Sequence, residues 1–332
     1  MKILFLIQGQ THPASRYRVL QYLEFLRPAG IDCEVRDYPR SIPAWIGVLR
    51  ERRRADVIFF QKKRAPRWPV ARLKAGGARI VYDVDDAVMF ASSRHDSPDA
   101  PARMKRFEQM CAMSDHVTAG NRYLADMARK SGTAVTILPT VMEMRKYAPR
   151  GPARRSGPIV LGWIGGRKSL PFLKAIDPAL AMLKAAGVEA VLKVVCNEFP
   201  AEGPFPVEKK TWVEADEGAD VASFDIGLAP LPDDPWSRGK CATKLLQCMA
   251  ARVPCVASPV GAHADIVKEG ENGFLAAAPE EWAEKLARLA RDPELRDRQG
   301  DAARRTVGEE YSLQAHAPRL AALLQSLRRA AP

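Results

Sequence analysis

The sequence predicts an α/β protein that contains two doubly wound parallel-sheet domains. Strand and helix patterns alternate through both halves of the chain, as in parallel sheets whose strands are joined by helices. A proline- and glycine-rich stretch at 149–158 interrupts this alternation near the middle. The length of 332 residues suits two domains of about 150 residues better than one.

In the first half, short apolar runs predict buried strands. The run KILFLI predicts the first strand, and a helical spacing of apolar residues follows from Val19 to Leu26 and ends before Pro28. Further strands are predicted in CEV, ADVIFFQ, ARIVYDVDD, HVTAG and AVTILPT. These segments indicate a Rossmann-like N-terminal domain over 1–149.

The second half repeats the alternation. Residues 150–158 are expected to form a linker, because this stretch offers little that could be buried. Strands are then predicted in PIVLGWIGG, AVLKVVCN, FDIGLAPL and VPCVASPVG, which places a second domain over 159–310 and a C-terminal helix over 311–332. Ligands of open α/β sheets bind beyond the carboxyl ends of the strands, so the two domains are expected to face one cleft.

The composition is that of a folded protein of a reducing compartment. Apolar residues make up 47% and charged residues 27% of the chain, which does not favour disorder. The apolar run Ile3–Ile7 is far shorter than the roughly 20 residues of a membrane helix and too short for a secretion signal. Six cysteines without C-x-x-C or zinc-finger spacing predict buried, reduced thiols. A cytoplasmic location is therefore expected.

The net charge of +12 is concentrated in one stretch. Ten Lys or Arg face two acids between positions 50 and 74. Such a patch could meet anionic lipid headgroups or an acidic substrate, or be only a solvated helix face and basic loop. An anionic membrane surface is the expected partner, with a peripheral position on its inner face. Nucleic acid is not expected, because aromatic residues are scarce in the stretch. The cations expected to meet the membrane are Arg52, Arg53, Arg54, Lys62, Lys63 and Arg64.

A candidate phosphate site lies in GWIGGRKSLPFL at 162–173. A predicted strand ends at Gly165 and Gly166, Arg167 and Lys168 follow, and a helix begins near Ser169. Glycines let the backbone approach a ligand, and cations beside a helix N-terminus favour an anion. An ordinary strand–glycine–helix turn has the same pattern.

The segment 233–275 resembles the donor-binding core of glycosyltransferase family 4. A loop is followed by a helix with K-C-A-T-K-L-L-Q-C-M-A, then by V-P-C-V-A-S-P-V-G, an acidic residue and E-G-E-N-G-F-L. This resemblance implies the GT-B fold and a hexosyltransferase-type enzyme that takes a sugar from a nucleotide donor, with retention of anomeric configuration. It implies no metal and no cofactor, since the nucleotide-sugar is the substrate. Looser similarities at 137–149 and 309–327 extend the resemblance along the chain. The second of these implies that the C-terminal helix over 311–332 crosses back onto the N-terminal domain.

The segment departs from the family in its two glutamates, whose positions fall on Gly239 and Gln247. Gln247 can still hydrogen-bond a ribose but cannot act as a charged base. The cations around the loop suit a diphosphate leaving group, and the loop backbone is expected to contact it. The residues assigned to the donor here are Arg238, Lys240, Cys241, Ala242, Thr243, Lys244 and Gln247. Strand-end VVCN and Thr211-Trp212 are expected to contact the nucleobase.

Three aspartates follow an apolar strand in YDVDDAVMF. Asp85 and Asp86 are candidate catalytic residues that could orient an acceptor hydroxyl or act as a base, with metal binding as a lesser reading. Strand alternation predicts that Asp83 shares a face with Asp85 and not with Asp86. Capping and turn formation by the aspartates is the alternative.

The loop after the first strand is the last candidate site. By the resemblance, Gly9 lies where such proteins close over the donor phosphates. Arg16 is the preferred catalytic candidate, since a guanidinium binds phosphate through two hydrogen bonds, while His12, Ser15 and Arg18 are further candidates for sugar, phosphate or acceptor contacts.

The expected function is transfer of a sugar to a glycan, a lipid-linked acceptor or a growing polysaccharide. The alternative is a GT-B protein that lost the family's glutamates and only binds a nucleotide or glycan. Sugar, nucleotide and acceptor stay open, because pocket shape decides them.

Overall fold

The computed structural model describes residues 1–50, 54–91, 100–200 and 202–328. The chain divides into two compact units. Unit 1 comprises Met1–Val141, Asp234–Cys241 and Leu313–Pro332, and unit 2 comprises Met142–Asp233 and Ala242–Ser312. Asp234–Cys241, which the sequence-based division places in the second domain, thus clusters with the N-terminal unit.

Strands and helices alternate along the described chain. In chain order, the strands are β1 Lys2–Ile7, β2 Asp32–Asp37, β3 Val57–Gln61, β4 Arg79–Val84, β5 His116–Ala119, β6 Val135–Ile137, β7 Ile159–Ile164, β8 Ala190–Val195, β9 Val207–Lys210, β10 Ile226–Ala229, β11 Cys255–Ala257 and β12 Phe274–Leu275. The helices are α1 Pro13–Arg18, α2 Leu23–Leu26, α3 Ile42–Arg50, α4 Arg67–Ala75, α5 Pro101–Met113, α6 Arg122–Arg129, α7 Leu170–Lys174, α8 Asp177–Ala185, α9 Glu217–Ala222, α10 Pro235–Arg238, α11 Thr243–Ala250, α12 Ala262–Ile266, α13 Pro279–Arg291, α14 Pro293–Glu310 and α15 Leu313–Ser326.

Each unit contains one parallel sheet. Among the described residues, unit 1 has the strand order β2-β1-β3-β4-β5-β6 and unit 2 the order β12-β11-β10-β7-β8-β9. Every recorded strand pair is parallel. The predicted fold class, two Rossmann-like parallel-sheet domains, is confirmed. In each unit, the loops that leave the carboxyl ends of the strands therefore emerge at one edge of its sheet.

The sheet of unit 1 is buried on both faces. Leu4 and Leu6 of β1 point into one apolar cluster, and Ile3, Phe5 and Ile7 point into the other. This alternation is the period of two that a strand imposes. The second cluster also holds apolar residues of α15, so the C-terminal helix packs on unit 1.

The predicted helix from Val19 to Leu26 is interrupted in the structure. Val19 leaves the helical backbone region with φ −134°, and a 3-10 turn at Leu20–Tyr22 separates α1 from α2. Val19, Tyr22 and Leu26 are all buried in one cluster. An apolar spacing reports which side is buried and does not detect such a break, because both arrangements bury the same residues.

A fully buried ion pair fixes the centre of unit 1. Arg18 Nε and Nη2 donate to the two carboxylate oxygens of Asp83 at 3.0 and 2.5 Å. Arg18 Nη1 donates to the carbonyls of Leu138 and Pro139, and Thr118 Oγ1 donates to Asp83 at 2.7 Å. Burial raises the pKa of Asp83, although Arg18 acts in the opposite direction. The pair connects α1, β4, β5 and the segment after β6.

We expect Asp83→Ala to destabilise the protein by about 3–5 kcal/mol, because it leaves the Arg18 guanidinium buried without its counter-charge. Urea denaturation followed by circular dichroism measures the loss. The matched control is Asp126→Ala, which breaks the exposed pair with Arg129 and should change stability by less than about 1 kcal/mol. Equal effects of the two substitutions would contradict the role of the buried pair.

Candidate active site

Unit 1 gathers polar side chains at the carboxyl edge of its sheet. Gln61, the last residue of β3, is fully buried, and its Oε1 accepts from Gln8 N at 2.9 Å and from Ser15 Oγ at 3.1 Å. These bonds fix the loop that joins β1 to α1. Gly9 in this loop has φ +153° and open space beside it, so the backbone there is accessible to a ligand.

Lys62 holds two of the predicted acidic residues together. Its Nζ forms an ion pair with Asp86 and lies 3.4 Å from Asp85 Oδ1. Lys62 has φ +61°, a left-handed conformation that is uncommon for a side chain of this kind. The carbonyl of Asp83 accepts from Lys62 N at 2.7 Å. Asp85 and Asp86 were predicted to lie on different faces of the strand, but both contact Lys62. The strand alternation does not apply to them, because β4 ends at Val84.

The segment Asp234–Cys241 packs against the same edge. Lys240 Nζ donates to Asp86 Oδ1 at 2.8 Å and lies 3.5 Å from the centre of the Trp236 ring. Asn121 Nδ2 donates to the carbonyls of Arg238 and Lys240, both at 3.0 Å. Cys241 Sγ contacts the carbonyl of Asp85 at 3.2 Å. The predicted donor residues of this segment are thus positioned by unit 1.

Charge pairing separates the roles of Asp85 and Asp86. Burial disfavours the charged form of Asp86, but Lys240 and Lys62 outweigh it and lower its pKa to about 2. A carboxylate this acidic is a poor base at neutral pH. Asp85 Oδ1 is buried and accepts no hydrogen bond from the described residues, although Lys62 lies nearby. Asp85 is therefore the better candidate for contact with a hydroxyl group.

Arg16 and His12 lie at the start of the first helix. Arg16 Nη2 donates to the Tyr17 hydroxyl at 2.7 Å, and the guanidinium lies 4.5 Å from the centre of that ring. His12 Nδ1 accepts from Ala14 N at 3.1 Å and caps α1. Burial and Lys62 lower the pKa of His12, so its ring is neutral at pH 7. Ser15 and Arg18 are used internally, by Gln61 and Asp83.

In unit 2, Lys244 lies across the end of β7. Its Nζ is 4.8 Å from the centre of the Trp163 ring. A Cβ atom at Gly165 would come within 2.6 Å of Lys244 Cε and of the Trp163 ring, so only glycine leaves room for this arrangement. Gly165 and Lys244, which the sequence proposes separately as donor residues, thus lie side by side.

The other predicted donor residues of unit 2 are close in sequence to Gly165 or to Lys244. Gly166, Arg167 and Lys168 are exposed, and Arg167 Nε forms an ion pair with Glu198 Oε1 at 3.1 Å. The first residue before α11, Ala242, has φ +56°. Such backbone conformations cost energy in residues other than glycine and occur often at functional sites. Thr243 begins α11 and is half-buried, whereas Gln247 is buried within it.

Sequence reasoning missed His263, which the structure places near Lys244. His263 is buried at the start of α12, and its Nδ1 lies 3.2 Å from the Ser258 carbonyl. Because a carbonyl oxygen only accepts, Nδ1 carries the proton of the neutral ring and Nε2 is an acceptor. Burial lowers its pKa to about 4, with Lys244 contributing in the same direction and the Ser258 bond opposing it. A lone histidine in the sequence gave no signal that its ring would be buried with a lowered pKa.

Only some of the cations in the basic stretch 50–74 are exposed at the surface. Arg52 and Arg53 lie outside the described residues, while Arg54 and Lys63 are exposed. Lys62 belongs to the acidic cluster, with 16% of its side chain exposed, and is not available to a membrane. Arg64 is half-buried, and its Nη1 donates to the Val88 carbonyl at 3.2 Å.

None of the helices in 1–50, 54–91, 100–200 and 202–328 combines the length and the apolar character that crossing a membrane requires. Within the same ranges, no group of three or more His, Cys, Asp or Glu side chains could hold a metal ion. All six cysteines are described, buried and free of disulfides.

Comparisons with known proteins agree with this architecture. Residues 205–292 match the sequence profile of the family Glycosyl transferases group 1. HepE from Anabaena, solved in complex with UDP and glucose, aligns over 98% of this chain and 100% of its own with a TM-score of 0.68 and 14% identity. Sucrose-phosphate synthase from Thermosynechococcus elongatus aligns over 98% of both chains with a TM-score of 0.74 and 15% identity. A glycosyltransferase from Rickettsia africae aligns over 98% of both chains, with a TM-score of 0.71 and 11% identity. A search of curated protein sequences found no match.

The fold and the matched segment define the class of protein: this chain is a glycosyltransferase with the GT-B fold. More particularly, its residues 205–292 carry a domain of the group 1 glycosyl transferases. The segment 233–275, from which the sequence analysis inferred the resemblance, lies inside this match. The family profile matches no part of the chain outside 205–292.

His263 makes the stability of the protein depend on pH. Its folded pKa of about 4 lies below its usual value of 6.5, so the unfolded chain binds a proton where the folded chain does not. Stability should therefore fall as the pH is lowered from about 6.5 to 4, by up to roughly 3 kcal/mol from this residue. Urea denaturation over this range should show a smaller loss for His263→Gln than for the unmodified protein. Identical pH profiles would show that folding does not lower the pKa of His263.

Proposed function

We propose that this protein transfers a sugar from a nucleotide-sugar donor to a glycan, lipid-linked or polysaccharide acceptor. One observation carries the proposal. Lys244, in the segment that matches the family, lies over Gly165 at the carboxyl end of β7. A cation beside a strand-end glycine is suited to a diphosphate, because the backbone can approach the ligand while the ammonium neutralises it.

The donor would be held mainly by unit 2. As the glycosidic bond breaks, negative charge develops on the diphosphate, and fixed cations stabilise this charge more in the transition state than in the ground state. We assign this role to Lys244, assisted by Arg167, Lys168 and the backbone of Gly165 and Gly166. Further proposed contacts come from Ala242, Thr243 and Gln247, the last of which would hydrogen-bond the ribose.

The residues of unit 1 have separate roles. We assign Asp85 to orientation of the acceptor hydroxyl, since its buried Oδ1 lies 3.4 Å from Lys62 Nζ and accepts no hydrogen bond from the described residues. Asp86 would position Lys240 and Lys62 and would not act as a base. Arg16, Gly9, Arg238 and Cys241 remain proposed substrate contacts.

Further features of the reaction are part of the proposal. Retention of anomeric configuration and independence of metal ions are implied by the family resemblance, with basic side chains taking the place of a metal at the phosphates. A lipid-linked acceptor would place the protein at the inner face of an anionic membrane. HepE is solved with UDP and with UDP-glucose, so UDP is the first nucleotide to test.

We expect one of UDP, GDP, ADP, dTDP and CMP to raise the melting temperature, and EDTA to leave this shift unchanged. A ligand at about 100 times its dissociation constant adds roughly 2.7 kcal/mol. Lys244→Ala should reduce the shift, whereas Lys184→Ala, which removes an exposed lysine of α8, should not. No shift with any nucleotide would favour the alternative, a GT-B protein that binds glycan without transferring a sugar, and a shift that EDTA abolishes would refute metal independence.

Asp85→Asn should lower kcat/KM for the acceptor by about tenfold to hundredfold, the range for a hydrogen bond to a charged group. The thermal shift produced by the nucleotide should persist, because the donor is held elsewhere. Asp126→Asn, an exposed aspartate of the same unit, is the control. Unchanged acceptor kinetics in Asp85→Asn would remove this residue from the site.

A further inference from the structure

Unit 1 exposes large apolar side chains on two neighbouring helices. Ile42 and Ile46 of α3 are 68% and 47% exposed, and Trp68 of α4 is 37% exposed. We call the surface formed by Ile42, Ile46, Arg50, Arg67, Trp68 and Arg72 the α3–α4 face. Clusters of exposed apolar residues on a soluble unit mark sites of interaction.

The spacing along both helices shows that this exposure is patterned. Ile42, Ile46 and Arg50 follow one another at four-residue intervals and so lie on one side of α3. The adjoining side of α3 buries Trp45, Val48 and Leu49. Helix α3 thus has two apolar sides. One is buried in unit 1, and the other, with Ile42 and Ile46, is exposed.

Aromatic contacts join the two helices into one surface. The Trp45 and Trp68 rings are 6.2 Å apart in an edge-on arrangement. The Arg72 guanidinium lies 5.3 Å from the centre of the Trp68 ring. Trp45 is buried below the surface and Trp68 is exposed on it, so the indole that faces solvent has a fixed support and an adjacent cation.

The charge of the described residues between 42 and 75 is almost entirely positive. Exposed cations without an ion pair among the described residues are Arg50, Arg54, Lys63, Arg67 and Arg72. Within 42–50 and 54–75, Asp56 is the one acidic residue, and its carboxylate accepts a hydrogen bond from Lys2 N. The apolar side chains therefore lie in a field that attracts anions.

We propose that the α3–α4 face docks on an anionic lipid bilayer. Arginines would meet the lipid phosphates, Trp68 would lie at the headgroup level, and Ile42 and Ile46 would enter the acyl boundary. Exposed isoleucines distinguish this surface from one that binds nucleic acid, which would need aromatic side chains stacked along a basic groove. The inference rests on the proposed function for its membrane location and names the surface responsible.

This surface differs from the one that the sequence predicted. Lys62 is occupied by Asp85 and Asp86, and Arg64 is half-buried. The prediction from charge alone also contained no apolar residue. The structure adds the three side chains that could insert and shifts the relevant cations to the outer sides of α3 and α4.

Vesicle sedimentation of the whole protein, without donor or acceptor, tests the proposal separately from catalysis. We expect binding to vesicles of equal parts phosphatidylglycerol and phosphatidylcholine, weakening as salt is added, and little binding to phosphatidylcholine alone. Each of Arg50→Gln, Arg67→Gln and Arg72→Gln should weaken binding about fivefold. The paired substitution Ile42→Ser with Ile46→Ser should weaken it about tenfold or more.

Matched controls lie on other surfaces. Met182 and Val213 of unit 2 are exposed apolar residues, and Lys130 is an exposed cation of unit 1. Met182→Ser, Val213→Ser and Lys130→Gln should leave vesicle binding unchanged. Because Ile42 and Ile46 are exposed, their replacement should not alter the circular dichroism spectrum.

A second measurement needs no variant. Hydrogen exchange of the unmodified protein should slow in α3 and α4 when phosphatidylglycerol vesicles are added and stay constant in unit 2. Absence of vesicle binding, equal loss in the control variants, protection confined to other helices, or tighter binding to duplex DNA than to vesicles would each overturn the proposal. Loss of vesicle binding with nucleotide binding intact would leave the proposed transfer reaction standing.

Discussion

The buried pair of Arg18 and Asp83 sets the chemistry of unit 1. Two full charges without solvent exposure are stable here because they pair with each other and because Thr118 and the Leu138 and Pro139 carbonyls supply further hydrogen bonds. This use of Asp83 excludes it from catalysis. It also fixes the end of β4, so that the next two residues leave the strand in a defined direction towards the polar edge of the sheet.

Charge pairing also determines the different roles of Asp85 and Asp86, which follow β4. Lys62 and Lys240 both bind Asp86, and this carboxylate therefore acts as a structural anchor with a low pKa. Asp85 shares Lys62 at a longer distance and keeps a buried oxygen without a hydrogen bond from the described residues. Two adjacent residues of the same type thus differ in their chemistry because their partners differ, which resembles the way in which paired carboxylates divide roles in enzymes.

The strands and the fold class were predictable because apolar runs carry that information locally. KILFLI and ADVIFFQ are buried strands in the structure, as the continuous runs indicated. The position of Lys62 was not predictable, since its left-handed backbone and its partners 23 and 24 residues away leave no local pattern. The charge count of 50–74 could not distinguish this half-buried, paired lysine from the exposed Lys63 beside it. Contacts of the segment 234–241 with Asp86 and Asn121 depend on the tertiary fold, and a linear division into domains therefore missed them.

The departure from the family's glutamates has a steric explanation at Gly239. A Cβ atom at this position would lie 2.5 Å from Ala87 Cβ and 2.8 Å from Ala87 N. The second of these is a backbone atom, which cannot move aside as the end of a flexible side chain can. A glutamate therefore cannot occupy position 239 while the segment 234–241 keeps this packing. The missing carboxylate and the close approach of the loop to Ala87 therefore have the same cause. The next residue, Lys240, donates a hydrogen bond to Asp86. At the position where the resemblance expects a charged side chain, this loop therefore has tight backbone packing, and a catalytic role expected for that glutamate would have to be taken by other residues or be absent.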